Sequence, residues 1–163
     1  MKRLLMCRHA KSDWGNFELK DYDRPLNKRG LNDAPDMGKR LFDQNYAVDG
    51  ILSSTAKRAE QTAKLVAEGL QHKQEIIWER SLYHASASTI ASSIYALDNQ
   101  LKSIIVVCHN PGITTFVNSL SSFSIDNVVT CGITAFEFET ELWEDIAKAK
   151  CKFLFHDFPK SVV

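Results

Sequence analysis

Four places in this sequence carry side chains suited to handling a phosphate group. Arg8-His9 ends an apolar run. Lys20-Asp21-Tyr22-Asp23-Arg24-Pro25 lies in a polar stretch. Lys57-Arg58 follows Ser53-Ser54-Thr55-Ala56, and His109 follows SIIVVC and precedes Asn110-Pro111-Gly112. A guanidinium fork holds two oxygens of one anion at once. A neutral imidazole can attack an electrophile through its lone pair. Taken singly, each residue has an ordinary reading. Arg8 could snorkel at a strand end, Arg58 could pair with Glu60 on a solvated helix, and His109 could be a satisfied buried histidine. Asp21 could be a surface residue of a charged loop, and Arg24, held extended by Pro25, could orient that loop. Chemistry requires that they converge.

The elements that would position them read as follows. Residues 4–7 form a short buried strand, and residues 8–27 a long polar loop of the kind that is often functional. Residues 28–45 are helical in pattern, with Asn27 as a cap. Pro35 should kink this helix or start a second one after Asn32 or Asp33. A strand is expected at 50–53, a helix at 57–70 with apolar residues at helical spacing, and a strand at 75–78. A helix follows at 88–97, capped by Ser86 or Ser88. Residues 103–108 are apolar throughout, as in a strand buried on both faces, and 113–120 form a helix. Residues 135–139 and 152–156 alternate like half-exposed antiparallel strands, joined by a turn around Trp143. This alternation implies an α/β fold: three α/β/α layers, a mainly parallel sheet and an antiparallel C-terminal edge, with 1–163 as a single domain. Ligands of such sheets bind beyond the carboxyl ends of the strands. The Arg8-His9 pair, the segment leading to Arg58, and His109 all follow strands directly.

Composition narrows the class. The chain has 163 residues, 44% hydrophobic, with 20 basic and 20 acidic side chains. A neutral balance argues against general attraction to nucleic acid or anionic membranes. Cys7, Cys108, Cys131 and Cys151 are scattered without a C-x-x-C motif, which fits reduced thiols. The apolar run before Arg8 is too short for a signal-peptide core or a membrane span, so a cytoplasmic protein is expected.

The motifs LLMCRHAKS, KDYDRPLNKRG, SSTAKRAEQTA, SLYHAS and VVCHNPGI, in this order, resemble the histidine phosphatase (phosphoglycerate mutase-like, RHG) superfamily, above all its small SixA-type branch of phosphohistidine phosphatases. The resemblance implies that His9 is the nucleophile and forms a phosphohistidine intermediate. Arg8, Arg58 and His109 would surround the phosphoryl oxygens, Arg24 would extend that pocket, and Asp21 would sit at its rim. No metal or other cofactor is implied. The sequence departs from the family at Ala10, where the usual motif has glycine. The proton donor is also open between Asp21, which is favoured, and Glu79. His72, His84 and His156 read as structural or exposed.

Other classes are weaker. A zinc hydrolase built on Cys7, His9, Cys108 and His109 conflicts with strand alternation, which sends Cys108 and His109 to opposite faces, and with three arginines beside a cation. A non-catalytic phosphate-binding module would not need the full set of groups. The short segment 79–88 predicts an uncapped site. That suits phosphohistidine on a protein, with a small-molecule phosphomonoesterase as the alternative.

Overall fold

The computed structural model describes residues 1–160. Six strands form one sheet: β1 (Lys2–Arg8), β2 (Gly50–Ser53), β3 (Ile77–Trp78), β4 (Ser103–Cys108), β5 (Ile133–Phe138) and β6 (Cys151–Asp157). Their order is β3-β2-β4-β1-β5-β6. The first four strands are mutually parallel, while β5 and β6 run antiparallel to their neighbours. Four helices complete the fold: α1 (Lys28–Asp43), α2 (Lys57–Leu70), α3 (Ala87–Tyr95) and α4 (Gly112–Leu120).

Alternation along the strands builds two cores. Leu4 and Met6 of β1, with Ile104, Val106 and Cys108 of β4, face α3 and α4. Leu5, Cys7, Ile105 and Val107 face α1 and α2. All six residues of β4 are buried, because β4 lies between β1 and β2 with helices on both faces. Each such aliphatic side chain contributes about 1.5–3 kcal/mol on burial.

Asn27 caps α1, its side chain accepting a hydrogen bond from the Gly30 amide at 2.9 Å. Pro35 does not split this segment, and α1 continues to Asp43. Burial of Ala34, Met37, Gly38 and Leu41 against the sheet and α2 outweighs the hydrogen bond that the proline forfeits. The α1–α2 crossing is close. A Cβ on Gly69 would stand 2.0 Å from the Pro35 carbonyl oxygen, and one on Gly38 would stand 2.2 Å from that of Val66.

Two expectations about strands need correction. β3 is only two residues long and exposed, because it is an edge strand paired to β2 alone. β5 is not half-exposed: it lies between β1 and β6, and five of its six residues are buried. Trp143, expected in a turn, is wholly buried, and its indole N–H donates to the Leu101 carbonyl at 2.8 Å. Among the described residues no helix is long and apolar enough to cross a membrane.

Candidate active site

The register of the central strands decides the site. Arg8 pairs with Cys108 across β1 and β4, so His9 and His109 emerge side by side at the carboxyl edge. The His9 amide donates to the Cys108 carbonyl at 3.1 Å, and the two rings lie 5.1 Å apart. β2 ends one register step away, where the Ser54 amide meets the Val107 carbonyl. The Ser54 hydroxyl is 2.7 Å from His109 Nε2. The first turn of α2 brings in Arg58. Thr62, one turn later, accepts from the Ala10 amide and donates to the Arg58 carbonyl, tying the first loop to this helix.

His9 is 7% exposed. Its Nδ1 lies 2.8 Å from the Ala10 carbonyl oxygen, which can only accept, so the proton resides on Nδ1 and Nε2 keeps its lone pair. The Arg58 Nε–H points at that nitrogen across 3.4 Å. Burial lowers the His9 pKa to about 3, with the charges of Arg58, Arg8 and Arg24 adding to the effect and the Ala10 carbonyl opposing it. Burial also lowers His109 to about 2, helped by His9 and Arg58. Both rings are therefore neutral at neutral pH.

Asp21, in a 3₁₀ turn at Asp21–Asp23, organises the cations. Its Oδ1 accepts from Arg24 at 3.0 Å, and its Oδ2 accepts from Arg58 at 3.0 Å and from the Tyr83 hydroxyl at 2.6 Å. Its backbone carbonyl accepts from Arg58 at 2.7 Å. Burial alone would raise its pKa. The Tyr83 hydroxyl and the two guanidiniums outweigh burial and hold the carboxyl well below its usual range. An acid so firmly ionised is a poor proton donor, so the expectation that Asp21 protonates the leaving group does not fit this arrangement. Glu79 is occupied elsewhere, accepting from Ser81 at the start of a 3₁₀ turn. Arg24 is buried, bonds Ser12 and lies 3.6 Å above the Trp14 ring.

Arg8, His9, Arg24, Arg58 and His109 all line one cavity of about 190 Å³. A larger groove of about 580 Å³, between α1 and α2, holds none of them. Among the described residues, buried Nε of Arg8, Nε of Arg24 and Nδ1 of His109 have no hydrogen-bond partner. Buried polar atoms are ordinarily paired; three of those left without a hydrogen bond belong to residues that line this cavity, and three others, in Asp33, His72 and Ser103, lie elsewhere. With three guanidiniums and Lys11 around it, the matching ligand is a compact anion. Cys7 and Cys108 pack in cores on opposite faces of the sheet, so they form no shared set with the two histidines.

Sequence reasoning placed His84 outside the site, yet it lines this cavity. Its Nε2 is 3.4 Å from Asp21 Oδ2, and its ring lies 4.0 Å from that of Tyr83. Its backbone is left-handed, with φ of 53°, a conformation costing a non-glycine residue about 1–2 kcal/mol. The available signal was its position shortly after β3, at the same sheet edge as the other site residues. Ser12 and Ser54, which hold Arg24 and His109, had no distinguishing signal.

These observations define a phosphate-handling α/β protein with a buried neutral imidazole among arginines. Residues 4–84 match the family model of the histidine phosphatase superfamily (branch 1). An uncharacterized chloroplastic protein of Arabidopsis thaliana is 30% identical over 160 residues, spanning 88% of this chain and 70% of that one. A candidate phosphohistidine phosphatase, SixA, from Nakamurella multipartitia shares the fold with a TM-score of 0.84 at 22% identity, over 98% of this chain and 97% of that one. A phosphoserine phosphatase from Entamoeba histolytica shares it more distantly, with a TM-score of 0.70 at 17% identity, over 98% of both chains. The chain belongs to the histidine phosphatase superfamily, and the class of enzyme that follows is a phosphatase.

Proposed function

We propose that the protein, as one domain over residues 1–163, removes phosphate from phosphohistidine on a protein through a covalent intermediate on His9. The observation that carries this reading is the site's size and openness. A cavity of about 190 Å³ is smaller than the roughly 300–1,000 Å³ usual for small-molecule sites. It grips a phosphoryl group and gives a metabolite little beyond that. Only a 3₁₀ turn (Arg80–Leu82) and a short link separate β3 from α3, so no insertion from that side covers the mouth. A protruding side chain of a protein can therefore enter. The likeness in fold to SixA supports the same reading.

The chemistry follows from the geometry. His9 Nε2 attacks phosphorus with its lone pair, while Nδ1 stays anchored to the Ala10 carbonyl. Arg8, Arg24, Arg58 and the His109 ring stabilise charge on the phosphoryl oxygens. These cations occupy the place a divalent metal would need, so the reaction is expected to be metal-independent. Water then attacks the intermediate and releases His9. Imidazole leaves readily once protonated, with a reference pKa of about 6.5, whereas an alkoxide does not. In the presence of EDTA, phosphohistidine protein should exceed phosphoserine and sugar phosphates in kcat/KM by at least about a hundredfold, near 2.7 kcal/mol. A sugar phosphate turned over at near-diffusional efficiency, with phosphohistidine ignored, would establish a small-molecule phosphomonoesterase instead.

A further inference from the structure

We propose that His84 is the proton donor to the leaving group. This rests on the phosphatase reading and supplies the role that Asp21 and Glu79 leave unfilled. Four observations meet at this residue. His84 lines the cavity, with its ring 6.4 Å from that of His109 and its side chain 61% exposed. A group displaced in line by His9 departs away from that buried ring, and among the cavity's lining residues His84 is the exposed imidazole. His84 Nε2 lies 3.4 Å from Asp21 Oδ2, an ion-pair distance that orients the ring when it is protonated. Among the described residues Nδ1 makes no hydrogen bond, which leaves it able to face the substrate. The ring is also held by Tyr83 on a left-handed backbone that most residues avoid.

The step balances as follows. His9 Nε2 forms the N–P bond as the bond from phosphorus to the leaving atom breaks. The electron pair of that bond goes to the leaving atom, which takes the Nδ1 proton of the His84 imidazolium. In the second half, water attacks phosphorus and neutral His84 takes its proton. The N–P electron pair returns to His9.

The groups facing His84 are Asp21 from the first loop, Arg58 from α2, Tyr83 beside it, and His9 and His109 at the strand ends. Arg8, Lys11 and Arg24 stand across the cavity. His9 and His109 are held neutral, Asp21 is held ionised, and the Tyr83 hydroxyl is raised by burial and by Asp21.

The test compares leaving groups. His84→Asn keeps a residue that tolerates the left-handed backbone. Its kcat/KM should fall by about 10²–10⁴ on phenyl phosphate and phosphoserine, whose leaving groups need a proton. It should change by no more than about threefold on 4-nitrophenyl phosphate, whose leaving group does not. Inhibition by vanadate should stay as in the wild type. Equal losses on all three esters would make His84 a positioning or structural residue and overturn the proposal, as would no loss on any. Wild-type protein inert toward these esters and toward phosphohistidine would instead overturn the phosphatase reading, and this inference with it.

Discussion

The surroundings of His9 suit the nucleophilic role proposed for it. Burial keeps the ring neutral, the Ala10 carbonyl sets the tautomer, and Arg58 holds the free nitrogen in place. Replacing His9 removes the proposed nucleophile. The variant His9→Ala should lose at least about three orders of magnitude in kcat. Acid quenching of the wild type during turnover should leave a base-stable, acid-labile phosphate on His9, which mass spectrometry can locate and which the variant should lack. Near-normal turnover by the variant would sink the covalent mechanism. Asp21 illustrates how residue type misleads. A carboxylate near a phosphate site reads as an acid, but here it is an acceptor for two guanidiniums and a tyrosine.

The α1–α2 pair is the element on which the site's cations depend, since Arg58 opens α2 and the loop bearing Asp21 and Arg24 leads into α1. The two helices approach through Gly38 and Gly69. Helix propensity alone would favour Gly69→Ala by up to about 1 kcal/mol. The added Cβ would meet the Pro35 carbonyl oxygen at 2.0 Å, a backbone atom that cannot rotate away. Overpacking costs about 1–3 kcal/mol, so the clash wins. Gly69→Ala should lower the urea midpoint with an unchanged m-value, and a raised midpoint would show that the helices can separate without cost.

At the scale of the whole molecule, the buried histidines make stability depend on pH. The native pKa values are about 3 for His9 and about 2 for His109, while an unfolded histidine titrates near 6.5. Below about pH 6.5 the unfolded chain therefore binds protons that the native chain refuses, and stability falls as pH falls. Each imidazole costs up to about 1.4 kcal/mol per pH unit in that window. Asp21 acts in the same sense, but at lower pH, because its native carboxyl is depressed below the usual carboxylate range. Unfolding free energy at pH 5 should lie on the order of 2–4 kcal/mol below that at pH 7. The double variant His9→Gln, His109→Gln should flatten most of that slope. An equal slope in urea titrations of the double variant would mean that other groups carry it.

The sequence by itself determined the strand–helix alternation, the apolar β4 and the polar residues that follow each parallel strand. These signals are local: a run of apolar residues, a helical spacing, a cap such as Asn27. That was enough to bring Arg8, His9, Arg58 and His109 to one sheet edge, because in a parallel sheet the strand ends share a side. Local signals do not carry what depends on neighbours distant in the chain. Burial of β5 came from its position between β1 and β6, and the continuity of α1 through Pro35 came from packing on α2. The ionised state of Asp21 required Arg58 and Tyr83, 37 and 62 residues away. His84 entered the cavity only because β3 lies beside β2, a pairing that a two-residue strand does not announce. Hydrogen bonding and desolvation act through space, so the protonation state of each site group was settled by the tertiary structure.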